Sequence, residues 1–530
     1  MLTIGRISIL IFLLASAGCS PGDSPRFRAG SPKLLKQDTT VPLSRVLRVR
    51  LDRPARLEVR LTDSRGERLL SFKQKLKRHD VPLLGLRARD RVTVVVTAID
   101  GAGRAKSTPQ HFRVGALPER FPIIDVLANE PDLMEPGLLF FPVELVSDDE
   151  RVPWMVAVDE SREPVWIWEA PHEYGVVRMH DSGSLYAVSE TVAWEISPLG
   201  EVLGQWGEKR QKPASSKVFV ETEVGSLHHE LLPMPDAQRF LALSKRVVKV
   251  DDYPCSYTQP TKSCGSARIE DTMLVQFNRE GDVLLKWSMT DRLDTFRIGY
   301  DALDKIKDGE RDWSHGNAAI PMPGGGFLIS IRHQDALVAL NDDGDIRWIL
   351  SDPSGWHPDF EDLLLEPVGE DFRWSYHQHG PVFDDDGILW LFDNGNEGGT
   401  PYTGKSAHIR SRVVAYDIDE EAGTVAQVAE FSETATGQMY SRALGNSFVM
   451  PTTGNVMGVY GMPTDQDGEP HAAFDFGSRA ARMVEWTLNG ELASDFRVRS
   501  DRDVEPKGWR SYRAVHANSL YPAGVETWLE

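Results

Sequence analysis

The chain has 530 residues, 41% of them hydrophobic, with 14 Trp, 44 Gly and 33 Pro, and a net charge of −20. That length supports a large core and more than one domain, and many short apolar runs between turn residues favour an all-β chain. The acidic balance, spread along the chain, argues against nucleic acid as a partner, because such binding surfaces are basic.

The first 19 residues read as a targeting segment. Arg6 precedes an apolar stretch from Ile9 to Ala17 that is too short to span a bilayer, and small residues then lead into Cys19. The segment resembles a bacterial lipoprotein signal, with Cys19 as the lipidated first residue. Ser20 matches the outer-membrane sorting pattern. The expectation is a periplasmic protein that touches the membrane only through a lipid anchor at Cys19. Residues 20–41, polar and Pro-rich, suit a tether. Residues 42–116 alternate with a period of two, as in Val46-Leu-Arg-Val-Arg-Leu51 and Val92-Thr-Val-Val-Val-Thr97. They predict a small immunoglobulin-like β-sandwich without catalytic residues.

Residues 117–530 repeat a hairpin in which an apolar strand, a polar turn with Gly and a second apolar or Trp-bearing strand follow one another. The copies begin near Met155, Val192, Leu274, Leu337, Val413 and Met483. Six such copies predict a six-bladed β-propeller. Between Asp251 and Gly265 lie Cys255 and Cys264, nine positions apart in a Pro/Ser/Gly-rich loop. In an oxidising compartment this pair reads as one local disulfide. The acidic turns Asp384-Asp-Asp-Gly387 and Asn341-Asp-Asp-Gly344 lack the length and downstream Glu of a calcium loop, so they read as hairpin turns.

A second repeat marks the innermost strand of each blade. His229-Glu-Leu-Leu-Pro-Met-Pro matches Asn317-Ala-Ala-Ile-Pro-Met-Pro, and His379, Asn446 and, more weakly, Gly175 open equivalent stretches. A sixth copy at Asn518-Ser-Leu-Tyr-Pro522 predicts that the C-terminal strand completes the first blade and closes the ring. Inner strands line a propeller's channel, so these positions form a ring that is rich in His and Asn. His228, His315, His377, Arg332 and His333 lie around it. Arg offers a planar fork of donors for a tetrahedral oxyanion, and imidazole serves as nucleophile, base or donor to a leaving group. With no acidic ligand evident nearby, the set predicts binding and transfer of an anionic group, with no metal and no cofactor.

The motifs Asp312-Trp-x-His315-x-Asn317, Ser330-x-Arg332-His333-Gln334, Gln378-His379 and Phe392-Asp-Asn-Gly395 resemble those of the bacterial arylsulfate sulfotransferases. The likeness runs from about residue 117 to the end. It implies ping-pong sulfuryl transfer from a phenolic sulfate donor to a phenol acceptor, independent of the nucleotide sulfate donor. His379 would be the nucleophile and form a sulfohistidine, with Arg332 and His315 holding the sulfuryl oxygens. His228 or His229 would handle the phenolic proton, with repeat alignment favouring His229. Asn317, Asn446, His333 and Tyr512 would contact or orient substrate. Two other readings stay open: a non-catalytic lipid-anchored propeller that binds a sulfated or anionic ligand, and an aryl sulfate hydrolase. Oligomeric state and the natural substrates are not legible.

Overall fold

The computed structural model describes residues 24–36, 40–146, 151–170, 175, 177–189, 191–214, 216–306, 309–406, 410–466, 469–470, 480–500 and 508–529. Cys19 and the expected signal lie outside them. No helix among these residues is long and apolar enough to cross a membrane.

Six blades form a β-propeller, antiparallel except for a short parallel fifth strand on blades 2 and 5. Blade 3 (Ser226–Pro233, Arg239–Val250, Ala267–Asn278, Val283–Ser288) and blade 4 (Gly316–Pro321, Phe327–Ile331, Ala336–Leu340, Ile346–Ser351) are simple four-stranded meanders. Blade 2 begins at Val177–Met179, and blade 5 begins at His379–Phe383. The hairpin repeat seen in the sequence joins the third and fourth strands. Its turn glycines Gly200, Gly281, Gly344, Gly423 and Gly490 all have φ between 67° and 94°. A side chain would be strained there. Each of these strand pairs also carries a register shift just before the turn, at Ile196, Phe277, Leu340, Tyr416 and Trp486. A bulge of this kind adds local twist, as packed blades require. The turns at Asp384–Gly387 and Asn341–Gly344 are hairpin turns, with Asp384 and Asn341 side chains accepting backbone N–H groups inside their own loops.

The ring is closed from both ends of the chain. Ile123–Asn129 pairs with Leu492–Arg499 as the outer strand of blade 6. Gly508–Arg510 and Val515–Ala517 both pair with Leu138–Val146 as the inner edge of blade 1. The closing segment therefore lies earlier than the Asn518 repeat predicts. Asn518 is exposed beyond the strand. The final strand, Glu526–Leu529, pairs instead with the N-terminal sheet.

That sheet joins Arg45–Asp63, Gly66–Leu83, Arg91–Ile99 and shorter strands into one seven-stranded ladder. The long central pair shifts register between Arg50 and Leu57. This single ladder does not show the two separate sheets of an immunoglobulin-like sandwich. It packs on the propeller through one apolar cluster shared with blades 1, 2 and 6. It is also tied to blade 1 by Arg87 Nε to Asp159 Oδ2 (2.7 Å), while Arg68 Nη1 to Glu526 Oε1 (2.7 Å) holds the final strand within the sheet. The remaining cores lie between neighbouring blades. Apolar side chains thus fill the blade interfaces and leave the channel to polar groups.

Candidate active site

Near the channel the backbone departs from regular strand geometry at matched places. His315, His377 and Leu444 each stand at left-handed φ (45°, 56° and 63°) two residues before Asn317, His379 and Asn446. In blade 3 the left-handed residue is His229 itself, at φ 55°. The ladder there passes from His228↔Leu243 straight to Leu231↔Ala242, so His229 and Glu230 are looped out together. Simple alternation would separate these neighbours across the sheet; the bulge instead sends them to two different sets of partners. The His229 ring lies 5.0 Å from His315 and 5.7 Å from Tyr512. Glu230, fully buried, pairs with Arg178 (3.0 Å) and Arg513 (2.7 Å). His228 stays beside its neighbour, with the two Nδ1 atoms 2.7 Å apart.

His379 is 2% exposed at the start of blade 5's inner strand. Its Nδ1 faces two acceptors, Asn394 Oδ1 at 2.6 Å and the carbonyl of His377 at 3.0 Å. The amide of Asn394 cannot be turned over without loss, because its Nδ2 donates to the carbonyls of Ser441 (2.7 Å) and Leu444 (3.1 Å). Nδ1 of His379 therefore carries the proton, and the lone pair resides on Nε2. Burial, followed by the charge of Arg332, holds this imidazole well below the usual range, so it is neutral at pH 7.

Arg332, in a short 3₁₀ turn after Phe327–Ile331, is buried. Its Nη1 donates to His333 Nε2 (2.5 Å) and lies 3.4 Å from Asp301 Oδ2. Nη2 reaches only the Arg442 carbonyl at 3.5 Å, and the buried Nε has no hydrogen-bond partner among the described residues. His333 is engaged on both nitrogens, since its Nδ1 donates to the carbonyl of Asp312 at 2.6 Å. It steers Arg332 and has no nitrogen left for substrate, which corrects the expected substrate contact. His315 Nδ1 bonds Asp312 Oδ2 at 2.5 Å, and its ring stacks on His333 at 4.5 Å.

Three carboxylates thus lie among the histidines, against the sequence expectation of none. Burial opposes ionisation of Asp312, but the charges of His315 and His333 outweigh it and hold the carboxyl far below its ordinary range. Asp301 is likewise held far down by His377 and Arg332 against burial. Asp335 Oδ1 accepts from His377 N (2.7 Å) and Nδ1 (2.9 Å), while His377 Nε2 lies 3.4 Å from Asp301. Burial and Arg332 push His377 down, but the two carboxylates prevail and raise its pKa. The ligand-type atoms of Asp301, His333 and His377, and of Asp312, His315 and His333, lie within 4.8 Å of one another, close enough for a metal ion. His315 Nδ1 already bonds Asp312, both His333 nitrogens are taken by Arg332 and the Asp312 carbonyl, and Arg332 adds a fixed positive charge beside His333, which makes both sets poor cation sites.

Asn317 is fully buried and donates to the carbonyl of Gln378 (2.7 Å), and its Oδ1 is unpaired among the described residues. Its own carbonyl accepts from Arg513 Nη2 (2.6 Å) and Tyr512 OH (3.4 Å). Asn446 is placed differently from the expected substrate contact. Its amide bonds both the N–H and the carbonyl of Ala514 at 2.9 Å, latching the closing segment. It lines a separate chamber of about 590 Å³ with Arg178 and Arg513. His228, His229, Leu444 and Tyr512 line another pocket of about 250 Å³, walled by Trp154 and Met155. Cys255 and Cys264 form a disulfide with Cα atoms 5.8 Å apart. Sequence reading missed Asn394, Asp301, Asp335 and the role of Asp312. Asn394 and Asp312 stood inside quoted motifs, whereas nothing marked Asp301 or Asp335.

The central channel of the propeller thus gathers a neutral imidazole, a buried guanidinium and further histidines. The chain belongs to the arylsulfotransferase (ASST) family, whose sequence model matches residues 124–504. It is 31% identical over 149 residues to the arylsulfate sulfotransferase AssT of Lelliottia amnigena, a stretch covering 25% of each chain. Its likeness to the AssT of Escherichia coli O6:H1 is 31% over 148 residues, again 25% of each. The match thus spans a quarter of these relatives' length. A solved protein of unknown function from Bacteroides caccae aligns at 13% identity with a TM-score of 0.40, covering 72% of this chain and 98% of that one.

Proposed function

We propose that this protein transfers a sulfuryl group from a phenolic sulfate ester to a phenol by a ping-pong reaction through His379. The observation that carries the proposal is the neutral imidazole fixed through Nδ1, with no hydrogen bond to Nε2 among the described residues, near a guanidinium whose Nε has no partner among them. In the first half, His379 Nε2 attacks sulfur, the bond from sulfur to the aryl oxygen breaks, and the electron pair leaves on the phenolate. Arg332 and His315 hold the sulfuryl oxygens as charge moves toward that oxygen. The phenolate is protonated through His229, oriented by its bond to His228. Burial and the charges of His228 and His315 keep His229 neutral at rest, and an anionic ester beside it would favour its protonated form. In the second half, His229 accepts the proton of the acceptor phenol, whose oxygen attacks sulfur while the N–S bond breaks. Protons and electron pairs balance over one cycle.

The 250 Å³ pocket beside His229 and Tyr512, with its apolar walls, suits the aryl ring. A lipid-anchored periplasmic setting, with an anchor at Cys19, belongs to the same proposal. Support comes from the disulfide and the leader-like N-terminus.

The test is phenol-dependent release of 4-nitrophenol from its sulfate ester by wild type and His379→Asn. Transfer predicts release that needs added phenol and is lost in the variant. Release without acceptor makes the protein a hydrolase, and absence of release makes it a binder.

A further inference from the structure

Residues 298–304, in the connection from blade 3 to blade 4, bring Asp301 to the back of the arginine. Its Oδ2 lies 3.4 Å from Arg332 Nη1 and 3.4 Å from His377 Nε2, and its Oδ1 lies 3.3 Å from Arg442 Nη2. One carboxylate is thus shared by two guanidiniums and an imidazole. The arginines repel each other, and Asp301 is the negative charge between them. With Nη1 committed to His333 and Asp301, Arg332 is left to present Nη2 and the unpaired Nε to a ligand.

Asp301 has left-handed φ, 68°. That conformation is uncommon outside glycine and persists where the surroundings enforce it. Here both flanks are pinned by one neighbouring loop. Tyr253 OH donates to the carbonyl of Ala302 (2.8 Å), and Leu303 N donates to Tyr257 OH (2.9 Å). The Tyr257 ring lies 5.3 Å from Tyr300. Both tyrosines belong to residues 253–265, which are closed by the Cys255–Cys264 disulfide and by Cys264 N donating to the Tyr253 carbonyl at 3.0 Å. On the opposite side, Asp335 pins His377, so Asp301 meets a fixed partner.

We propose that Asp301 is a positioning residue for Arg332, and that the disulfide-closed loop holds it in place through Tyr253 and Tyr257. The proposal rests on the sulfuryl-transfer reading. It assigns a task in catalysis to the loop closed by Cys255 and Cys264. Arg332 stays charged without Asp301, so the loss falls on the aim of its donors. A group that acts by aim affects the reacting state more than ground-state binding.

The experiment is the pre-steady-state burst of 4-nitrophenolate from 4-nitrophenyl sulfate without acceptor, in the full chain. Asp301→Asn is expected to slow the burst about tenfold or more while its amplitude stays at one equivalent, and Asp301→Glu is expected to recover part of the rate. The double variant Tyr253→Phe, Tyr257→Phe is expected to slow the burst in the wild-type background and to add nothing in Asp301→Asn. An unchanged rate in Asp301→Asn overturns the positioning role, as does a loss of amplitude without loss of rate. Equal effects of the tyrosine pair in both backgrounds overturn the link to the loop. If wild type gives no burst, the transfer reading fails on its own. Calorimetric binding of inorganic sulfate then decides: an affinity shift of about threefold or more in Asp301→Asn upholds the proposal, and a smaller one overturns it.

Discussion

Replacing Asn394 by Ala removes one of the two acceptors that hold the His379 Nδ1 proton and leaves the His377 carbonyl at 3.0 Å. A net hydrogen bond is worth about 1–1.5 kcal/mol, so the preference for the reactive tautomer falls by roughly five- to thirteenfold. The ring also gains freedom to turn. The burst of phenolate from an aryl sulfate should therefore slow by about tenfold or more. Because Asn394 also bonds the carbonyls of Ser441 and Leu444, the variant should lose some thermal stability, and the burst must be read at a temperature where it remains folded. Asn394→Asp tests the same contact with the opposite sign. A carboxylate beside His379 favours imidazolium, so the variant should be slow at neutral pH and regain rate as pH rises. A wild-type burst rate in Asn394→Ala, or a flat pH profile in Asn394→Asp, would refute the tautomer argument.

Arg332→Lys keeps the charge but loses the planar fork and the bond that His333 steers. Its burst rate should fall by about a hundredfold, and a change of less than threefold would contradict the arginine's place in the reacting state. Stability should fall from pH 7 to pH 5. Burial holds His79, His228 (lowered to about 3), His229, His333 and His379 below the unfolded value of 6.5. The folded state then binds fewer protons than the unfolded state below about pH 6.5. His377, raised, works the other way, stabilising below 6.5 and losing that effect as pH rises through its folded value. Asp301 and Asp312 are lowered, so their contribution stays in place until pH drops below about 3.8. Five histidines outweigh one, and His228→Gln should flatten the slope; a Tm that is constant or rises toward pH 5 would contradict it.

The propeller was legible because its repeat is local. The third-strand hairpins need glycine at one turn position, and the inner strands share a Pro-Met-Pro ending in blades 3 and 4. His379, Arg332, His315 and Asn317 could be singled out because they stand in or beside that repeat. Geometry that depends on departures from the strand was not legible. Period-two reasoning could not foresee that His229 would be left-handed in a bulge and carry Glu230 the opposite way. Asn446 occupies the same repeat position as Asn317 yet bonds the Ala514 backbone, because the closing segment runs beside it only in three dimensions. Asp301 and Asp335 come from connections without a motif, so their pairing with His377 follows from blade packing alone. The N-terminal alternation was read correctly as strands, but alternation does not say how many sheets they make, and the ladder joins them in one.

The most direct measurement is mass spectrometry of the chain quenched after mixing with an aryl sulfate in the absence of acceptor. The mass of one SO3 group is expected on the peptide containing His379, lost on adding phenol and absent from His379→Asn. The group found on another residue, or turnover without any modified His379, would contradict it.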